Sequence, residues 1–317
     1  MNQAANRTPM ADTPRIYRLF DLDVVSDIEL AGVSAASGGG SGGTVSIIRR
    51  PPRPAPDVAP SDSDYVNDGR TQRLSWPQVG AFYVVSDDRI EVELNDDVDD
   101  LLASQPLLGA VFAALLHRRG LFLLHASALA VNGAGVALLG DKGAGKSTTA
   151  ASLVAGGHQL VSDDLVALDF SDPLRPLILP AISQLKLWPD SAAALATLPL
   201  GQGARWHEAI DKASFPLLQP TAPAATPLRR IYLLNRAEQP RIEPIDAAQS
   251  VSLLLRFSYQ AKRGEAGFGD RLQDYFARAG WLAGQGMVRK LVNPLGLDRL
   301  GEIAPLVEAD LAATPSP

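Results

Sequence analysis

The chain has 317 residues, of which 46% are hydrophobic, and its 29 Lys and Arg against 35 Asp and Glu give a formal net charge of −6. This length and hydrophobic content predict a globular protein of one large domain or two smaller ones. The acidic balance gives no general attraction for nucleic acid or an anionic membrane, so neither is expected as a partner. Because the sequence has no cysteine, it excludes disulfides, thiolate metal sites and cysteine nucleophiles, and it fits a cytoplasmic protein.

Two apolar stretches, around Leu107–Leu116 and Leu121–Leu139, are the longest in the sequence. Charged or polar residues interrupt them before they reach the roughly 18 residues that a membrane-spanning helix needs. The N-terminal region also lacks the charged-then-apolar pattern of a signal peptide. We therefore expect both stretches to be core elements.

The first third of the chain has the pattern of a small, mainly β unit. Residues 81–85 and 90–94 are strand-like runs joined by a polar segment, which predicts a β-hairpin. Apolar residues recur with helical spacing over Pro106–Arg119, where we expect a helix that closes this unit. The sequence therefore predicts a small, mainly β N-terminal domain over residues 13–104 and a larger α/β domain over residues 105–312.

A glycine-rich loop follows the short strand predicted at Val136–Leu139 and precedes a segment with helical character, Thr148–Val154. A P-loop needs this context, since its glycines let backbone N–H groups surround a phosphate at the N-terminus of a helix. In that interpretation Lys146 reaches the β- and γ-phosphates, and the Ser147 hydroxyl is offered to Mg²⁺. A glycine-rich turn without a ligand is the alternative, and the flanking strand and helix make it the weaker one. The predicted nucleotide-binding residues are Gly140, Asp141, Lys142, Gly143, Ala144, Gly145, Lys146, Ser147 and Thr148.

A P-loop alone does not separate a kinase from a GTPase or a motor. The sequence contains no Asn-Lys-x-Asp motif, which would read guanine downstream of the loop. This favours adenine or no base preference, and we expect ATP with Mg²⁺.

Two carboxylates, Asp163 and Asp164, end the strand predicted over residues 158–162. Side chains at the carboxyl end of a strand beside a P-loop strand face the nucleotide crevice. One carboxylate there can hold Mg²⁺, and another can accept the proton of an attacking hydroxyl. Because neighbouring residues of a strand point in opposite directions, we expect the two to have different roles. A solvated turn or a helix cap is the alternative for the pair.

His125 precedes a strand predicted at Ala126–Val131, which a turn joins to the strand that enters the loop. Folding this hairpin about Gly133 places His125 opposite Asp141 or Lys142. A lone histidine is most often structural, but this register predicts that His125 lies at the phosphate site and orients the phosphate or the acidic pair.

Three segments together resemble the HPr serine kinase/phosphorylase family: residues 124–128 (LHASA), the loop at 140–148, and residues 157–164 (GHQLVSDD). The similarity is greatest to the HPr-kinase-like proteins of peptide-modification and lasso peptide clusters. It implies a P-loop kinase domain related to phosphoenolpyruvate carboxykinase, and an Mg-ATP-dependent transfer of phosphate to a serine hydroxyl.

The resemblance also implies roles for single residues. Asp163 looks like the catalytic base, His125 like an active-site histidine, and Asp164 like a residue that assists the metal or the base. Lys146 and Ser147 look like the phosphate and metal ligands. The resemblance does not extend to the family's Glu-x-Arg-Gly-x-Gly signature, where this chain has residues 179–189 instead, so HPr itself is not implied as the acceptor.

Lys212 lies in a loop-like stretch before a proline-rich segment, where a cation can clamp the transferred phosphate or the substrate. A solvated surface charge is the alternative for this residue. Taken together, the residues favour a kinase that phosphorylates a serine of a peptide or protein. A small-metabolite kinase and a non-catalytic nucleotide-sensing module stay open, as does assembly into a homo-oligomer.

Overall fold

The computed structural model is a mixed α/β structure in which the strands of the described residues form three sheets. The predicted site residue Lys212 lies outside the described residues. The described residues are 14–36, 39–51, 64–182, 184–195, 198, 200–201, 203–205, 213–218 and 224–313.

The first seven strands of the described residues form one sheet. They are β1 (Arg15–Leu19), β2 (Leu22–Ser26), β3 (Thr44–Arg49), β4 (Asp64–Asn67), β5 (Gln72–Trp76), β6 (Gly80–Ser86) and β7 (Arg89–Leu94). Their order in the sheet is β1-β2-β3-β7-β6-β5-β4. The predicted hairpin is confirmed, because β6 and β7 pair antiparallel with Val84 opposite Ile90. Alternate residues such as Phe82 and Val92 are fully buried, which gives the sheet one core-facing side.

A helical run then packs on this sheet. It consists of α1 (Asp100–Pro106), a π-helical turn (Leu107–Val111) and α2 (Phe112–Arg118). The predicted start at Pro106 is wrong, because the Asp99 side chain caps the helix by accepting the N–H of Leu102 at 2.8 Å. Pro106 lies inside the run, has no N–H to donate, and is followed directly by the π-helical turn. The domain limit placed at 104 falls within this run, so the division into two domains stays a prediction.

Among the described residues, Asp100–Arg118 is the one helix that is long and apolar enough to cross a membrane by length and composition. In the structure, 61% of its apolar window is buried. Phe112 and Leu115 are fully buried and belong to the same core cluster as the N-terminal sheet. A core helix of a folded domain passes the same test of composition, and these contacts describe such a helix.

The rest of the described chain builds the larger sheet, a small third sheet and the remaining helices. The strands are β8 (Phe122–Leu124), β9 (Ser127–Val131), β10 (Ala134–Leu139), β11 (Gln159–Asp163), β12 (Val166–Asp169), β13 (Leu177–Ile178), β14 (Gln184–Leu187), β15 (Ala204–Arg205), β16 (Ala213–Pro216), β17 (Thr226–Arg236), β18 (Arg241–Pro244) and β19 (Val288–Asn293). The α-helices are α3 (Lys146–Ala155), α4 (Pro189–Ala194), α5 (Ala247–Arg256), α6 (Gly264–Phe268), α7 (Leu272–Gly284) and α8 (Ile303–Ala312).

The larger sheet has nine strands, in the order β11-β9-β10-β17-β13-β12-β8, with β19 beside β17 and β18 beside β19. Its middle is parallel, because β17 pairs in parallel with both β10 and β19. A small sheet of β14, β16 and β15 completes the fold.

Strand β10 is buried on both faces. Ala137 and Leu139 belong to the core that includes α5 and α7, whereas Val136 and Leu138 belong to the core that includes α3 and α8. A strand covered on both sides is expected to be continuously hydrophobic, as β10 is. The strand is therefore held firmly where it enters the glycine-rich loop.

The predicted hairpin between β9 and β10 is confirmed, with a turn of two residues rather than four. Asn132 and Gly133 have positive φ angles of 50° and 82°, as the tightest hairpin turns require. Ala134 pairs with Val131, so the residues after Gly133 already belong to β10. The paired register ends with Leu138 opposite Ser127, two residues after His125, so the position of His125 opposite Asp141 or Lys142 stays a prediction.

Candidate active site

The glycine-rich loop connects β10 to α3, and its backbone requires glycine. Gly143 and Gly145 have φ angles of +87° and +96°, in the left-handed region that side chains rarely adopt. A Cβ atom on Gly140 would lie 2.8 Å from Cβ of Ala144. The Lys146 ammonium folds back over this loop and donates to the Gly140 carbonyl at 2.7 Å.

A cavity of about 610 Å³ opens above the loop. All the predicted site residues within the described chain line this cavity, with the exception of Ala144. The structure therefore brings together His125, the loop and both carboxylates, which come from different elements of the sheet. Phe257 fixes His125 at the cavity wall by accepting its backbone N–H at 2.8 Å.

Asp163 faces the loop. Strands β9 and β11 pair with Ser127 opposite Asp163, and the Ser127 hydroxyl donates to Oδ1 of Asp163 at 2.5 Å. Ser147 of α3 donates to the same oxygen at 3.3 Å, and the backbone N–H of Lys186 donates to Oδ2 at 3.1 Å. Burial raises the pKa of Asp163, and the charge of Asp164 raises it further, against the opposing effect of the Ser127 hydrogen bond.

Asp164 lines the same cavity but has different partners. Its φ of +79° turns the chain away from the direction of β11. Its Oδ2 accepts from the Lys186 ammonium at 2.8 Å, and its Oδ1 lies 3.4 Å from Nδ1 of His125. Burial alone would raise the pKa of Asp164, but the Lys186 ammonium, together with His125 at acidic pH where the ring is protonated, outweighs this effect and holds the pKa well below its usual range.

His125 and Lys186 carry different charges beside Asp164. Burial lowers the pKa of His125 to about 4, despite the nearby carboxylate, so the imidazole is neutral at pH 7. Burial also opposes the charge of Lys186, but the contact with Asp164 outweighs it and raises the pKa of this ammonium. The carboxylate of Asp164 therefore meets one cation and one neutral ring.

The two carboxylates thus have separate partners, and the assignment of Asp164 to the metal stays a prediction. Among the described contacts, Ser147 meets Asp163 and not Asp164. The described residues also contain no cluster of three or more His, Asp or Glu side chains that would hold a metal by themselves. Two oxygens, from Ser147 and Asp163, suit Mg²⁺, which usually takes one or two protein ligands together with phosphates and water.

Several lining residues were not assigned to the site from the sequence. Arg256 ends α5 and pairs with Asp141 at 2.6 Å, with 60% and 68% of the two side chains exposed. Lys186 pairs with Asp164 from β14, and Trp188 lies beside it at the start of α4 with 40% of its surface exposed. A cation within the apolar strand β14 was the one available signal for Lys186. No local pattern marks Arg256, since a basic residue in the last turn of a helix is ordinary.

Comparison with known proteins gives a family for part of the chain. Residues 116–175 match the model of the HPr Serine kinase C-terminal domain, and this segment includes His125, the loop and both carboxylates. Among solved structures, the Hpr(Ser) kinase/phosphatase from Coxiella burnetii is similar at 16% identity, over 59% of this chain and 89% of that chain, with a TM-score of 0.31. A similarity at that level transfers no structural detail. The HPr-kinase-like character indicated by the three motifs is therefore confirmed, as a similarity to the HPr Serine kinase C-terminal domain over residues 116–175.

Proposed function

We propose that this protein is an Mg-ATP-dependent kinase that transfers phosphate to a serine hydroxyl of a peptide or protein. The observation that carries the proposal is the placement of Asp163 in the cavity. Its Oδ1 lies 3.3 Å from the hydroxyl of Ser147, at the N-terminus of the helix that follows the loop. One carboxylate is thereby aimed at the place where a P-loop would hold the terminal phosphates of a nucleotide.

The charge of the cavity suits a polyanion. Six cationic side chains line it against three carboxylates, although the chain as a whole has a net charge of −6. Such a local excess of positive charge concentrates an anionic ligand. The loop adds backbone N–H groups and the N-terminus of α3. The cations are Lys142, Lys146, Lys186, Lys262, Arg236 and Arg256, and the carboxylates are Asp141, Asp163 and Asp164.

Within this proposal the two carboxylates do different things. Asp163 accepts the proton of the attacking hydroxyl, because its Oδ1 lies beside the Ser147 hydroxyl at the end of the loop. Asp163 and Ser147 are also the oxygens offered to Mg²⁺, which would neutralise developing phosphate charge. Asp164 is bound to Lys186 and His125 instead, and so supports the site from the side.

The acceptor class rests on the family of residues 116–175, whose description is that of a serine kinase. A direct assay would incubate the protein with Mg²⁺ and ATP labelled at the γ-phosphate, together with pools of serine-containing peptides or small metabolites. We expect label in the peptide fraction, as phosphoserine, and no label with Lys146→Ala.

The same assay separates the alternatives. If label appears in the metabolite pool alone, the protein is a kinase whose acceptor is a small metabolite and not a peptide. Tight ATP binding without transfer to any acceptor would favour a nucleotide-sensing module. If calorimetry detects no ATP binding, the proposal of a nucleotide site is rejected.

A further inference from the structure

Lys186 contacts both carboxylates of the acidic pair. Its ammonium lies 2.8 Å from Oδ2 of Asp164, and its backbone N–H donates to Oδ2 of Asp163 at 3.1 Å. It lies outside residues 116–175, so the family match does not cover it. Lys186, on a separate strand, therefore contacts both Asp163 and Asp164 and helps to orient their carboxylates.

The position of Lys186 follows from the pattern of β14. Leu185 and Leu187 are buried in the core that includes α3, and β14 is paired with β16. Because side chains alternate along a strand, burying these two leucines turns Lys186 to the opposite side, where it lines the cavity. The apolar packing of its two neighbours thus determines that the Lys186 side chain leaves β14 toward the cavity.

Two adjacent carboxylates in a partly dry site repel each other. The ammonium of Lys186 compensates one of them, Asp164, and occupies its Oδ2 directly. The remaining oxygen of Asp164 faces His125 at 3.4 Å. Asp163 is left with its Oδ1 toward Ser147, so it is the carboxylate with an oxygen beside the proposed phosphate site.

We propose that Lys186 is a positioning residue that takes Asp164 out of cation binding and leaves Asp163 and Ser147 as the protein oxygens for Mg²⁺. This inference rests on the proposed Mg-ATP site. In this proposal, the Lys186 side chain on β14 determines that one carboxylate, and not two, is available to bind the metal.

The test uses Mn²⁺ in place of Mg²⁺, because bound and free Mn²⁺ are distinguished by electron paramagnetic resonance without any turnover. The full chain is titrated with Mn²⁺ in the presence of a non-hydrolysable ATP analogue. We expect Asp163→Asn to weaken Mn²⁺ binding at least about tenfold, and Asp164→Asn to change it less than about twofold. Equal weakening by the two variants would overturn the proposal.

Variants of Lys186 provide the second part of this Mn²⁺-binding test. In Lys186→Met, Asp164 is released, so Mn²⁺ should bind more tightly or with a second ion, and this gain should vanish in the double variant Lys186→Met, Asp164→Asn. Lys186→Arg keeps the cation and should behave like the wild type. Unchanged Mn²⁺ binding in a folded Lys186→Met protein would overturn the proposal. If Lys186→Met does not fold, the comparison of Asp163→Asn with Asp164→Asn still decides it.

The same titration distinguishes a failure of the proposed function from a failure of the proposed role of Lys186. Wild-type protein that binds no Mn²⁺ with the nucleotide analogue would overturn both the nucleotide site and the role of Lys186. Wild-type binding that depends on Asp164 would overturn the role of Lys186 alone. If Mn²⁺ binding is normal and depends on Asp163 but the protein phosphorylates no acceptor, the proposed role of Lys186 is kept and the proposed kinase activity is rejected.

Discussion

Nη2 of Arg256, at the end of α5, lies 2.6 Å from Oδ1 of Asp141 in the glycine-rich loop. Both side chains are more than half exposed, so the pair contributes little to folding stability. Its effect is instead on the charge of the loop, because Arg256 covers a carboxylate that would repel phosphate.

Changing either partner should therefore alter nucleotide affinity and not stability. Asp141→Asn should tighten ATP binding and Arg256→Gln should weaken it, each by several-fold, the equivalent of about 1 kcal/mol. Calorimetry measures the affinity, and thermal unfolding is the control. If both variants bind ATP like the wild type, this pair does not influence the phosphate site.

Lys146→Ala tests the proposed phosphate contact directly. The Lys146 ammonium has no place in an apolar core and donates to the Gly140 carbonyl at the cavity floor. Its loss should abolish tight Mg-ATP binding or phosphate transfer, with the thermal midpoint nearly unchanged. The matched control is Lys142→Ala, which removes a second loop cation from the same cavity and should cost much less affinity. Equal, small effects of the two changes would mean that the loop does not act as a P-loop.

The sequence could predict the parts of the site that are local in the chain. The loop, the acidic pair and the hairpin that carries His125 each depend on residues within one or two neighbouring elements. Lys186 and Arg256 could not be assigned in the same way, because their partners lie 22 and 115 residues away. Only the packing of β14 and α5 around the loop brings these cations to the carboxylates. Similarly, the start of α1 depended on one capping contact of Asp99, which the apolar periodicity did not contain.

Asp163→Asn tests the proposed base when it is assayed at a saturating concentration of Mg²⁺, because the same change is expected to weaken metal binding. The amide keeps the shape of the side chain but removes the proposed base, so kcat should fall on the order of 10²-fold or more while metal-free ATP affinity changes little. Ser127→Ala is the comparison, because it removes the other hydrogen bond to Oδ1 and leaves Ser147 in place. We expect it to cost less than Asp163→Asn in single-turnover transfer. A larger loss in Ser127→Ala would show that orientation of the carboxylate matters more than its charge.

The last prediction concerns His117, which is buried between α2 and α7, away from the cavity. Its Nε2 donates to the carbonyl of Phe268 at 3.1 Å, and its Nδ1 lies 3.4 Å from the hydroxyl of Tyr275. Burial lowers the pKa of His117 to about 4, whereas an unfolded chain gives histidine a pKa of about 6.5. Between these values the unfolded chain binds the proton and the folded protein does not, so stability is lost as the pH falls from about 6.5 to about 4.

From this one residue we expect a loss of about 2 kcal/mol in the free energy of unfolding between pH 7.5 and pH 5. Urea unfolding at the two pH values measures it. His117→Gln removes the titrating group, so it should be less stable than the wild type at pH 7.5 but lose about 2 kcal/mol less on acidification. Because His117 lies outside the cavity, ATP affinity at pH 7.5 should be the same in both proteins, which separates a stability effect from a site effect. An equal loss of stability in the two proteins would mean that His117 is not buried in its neutral form.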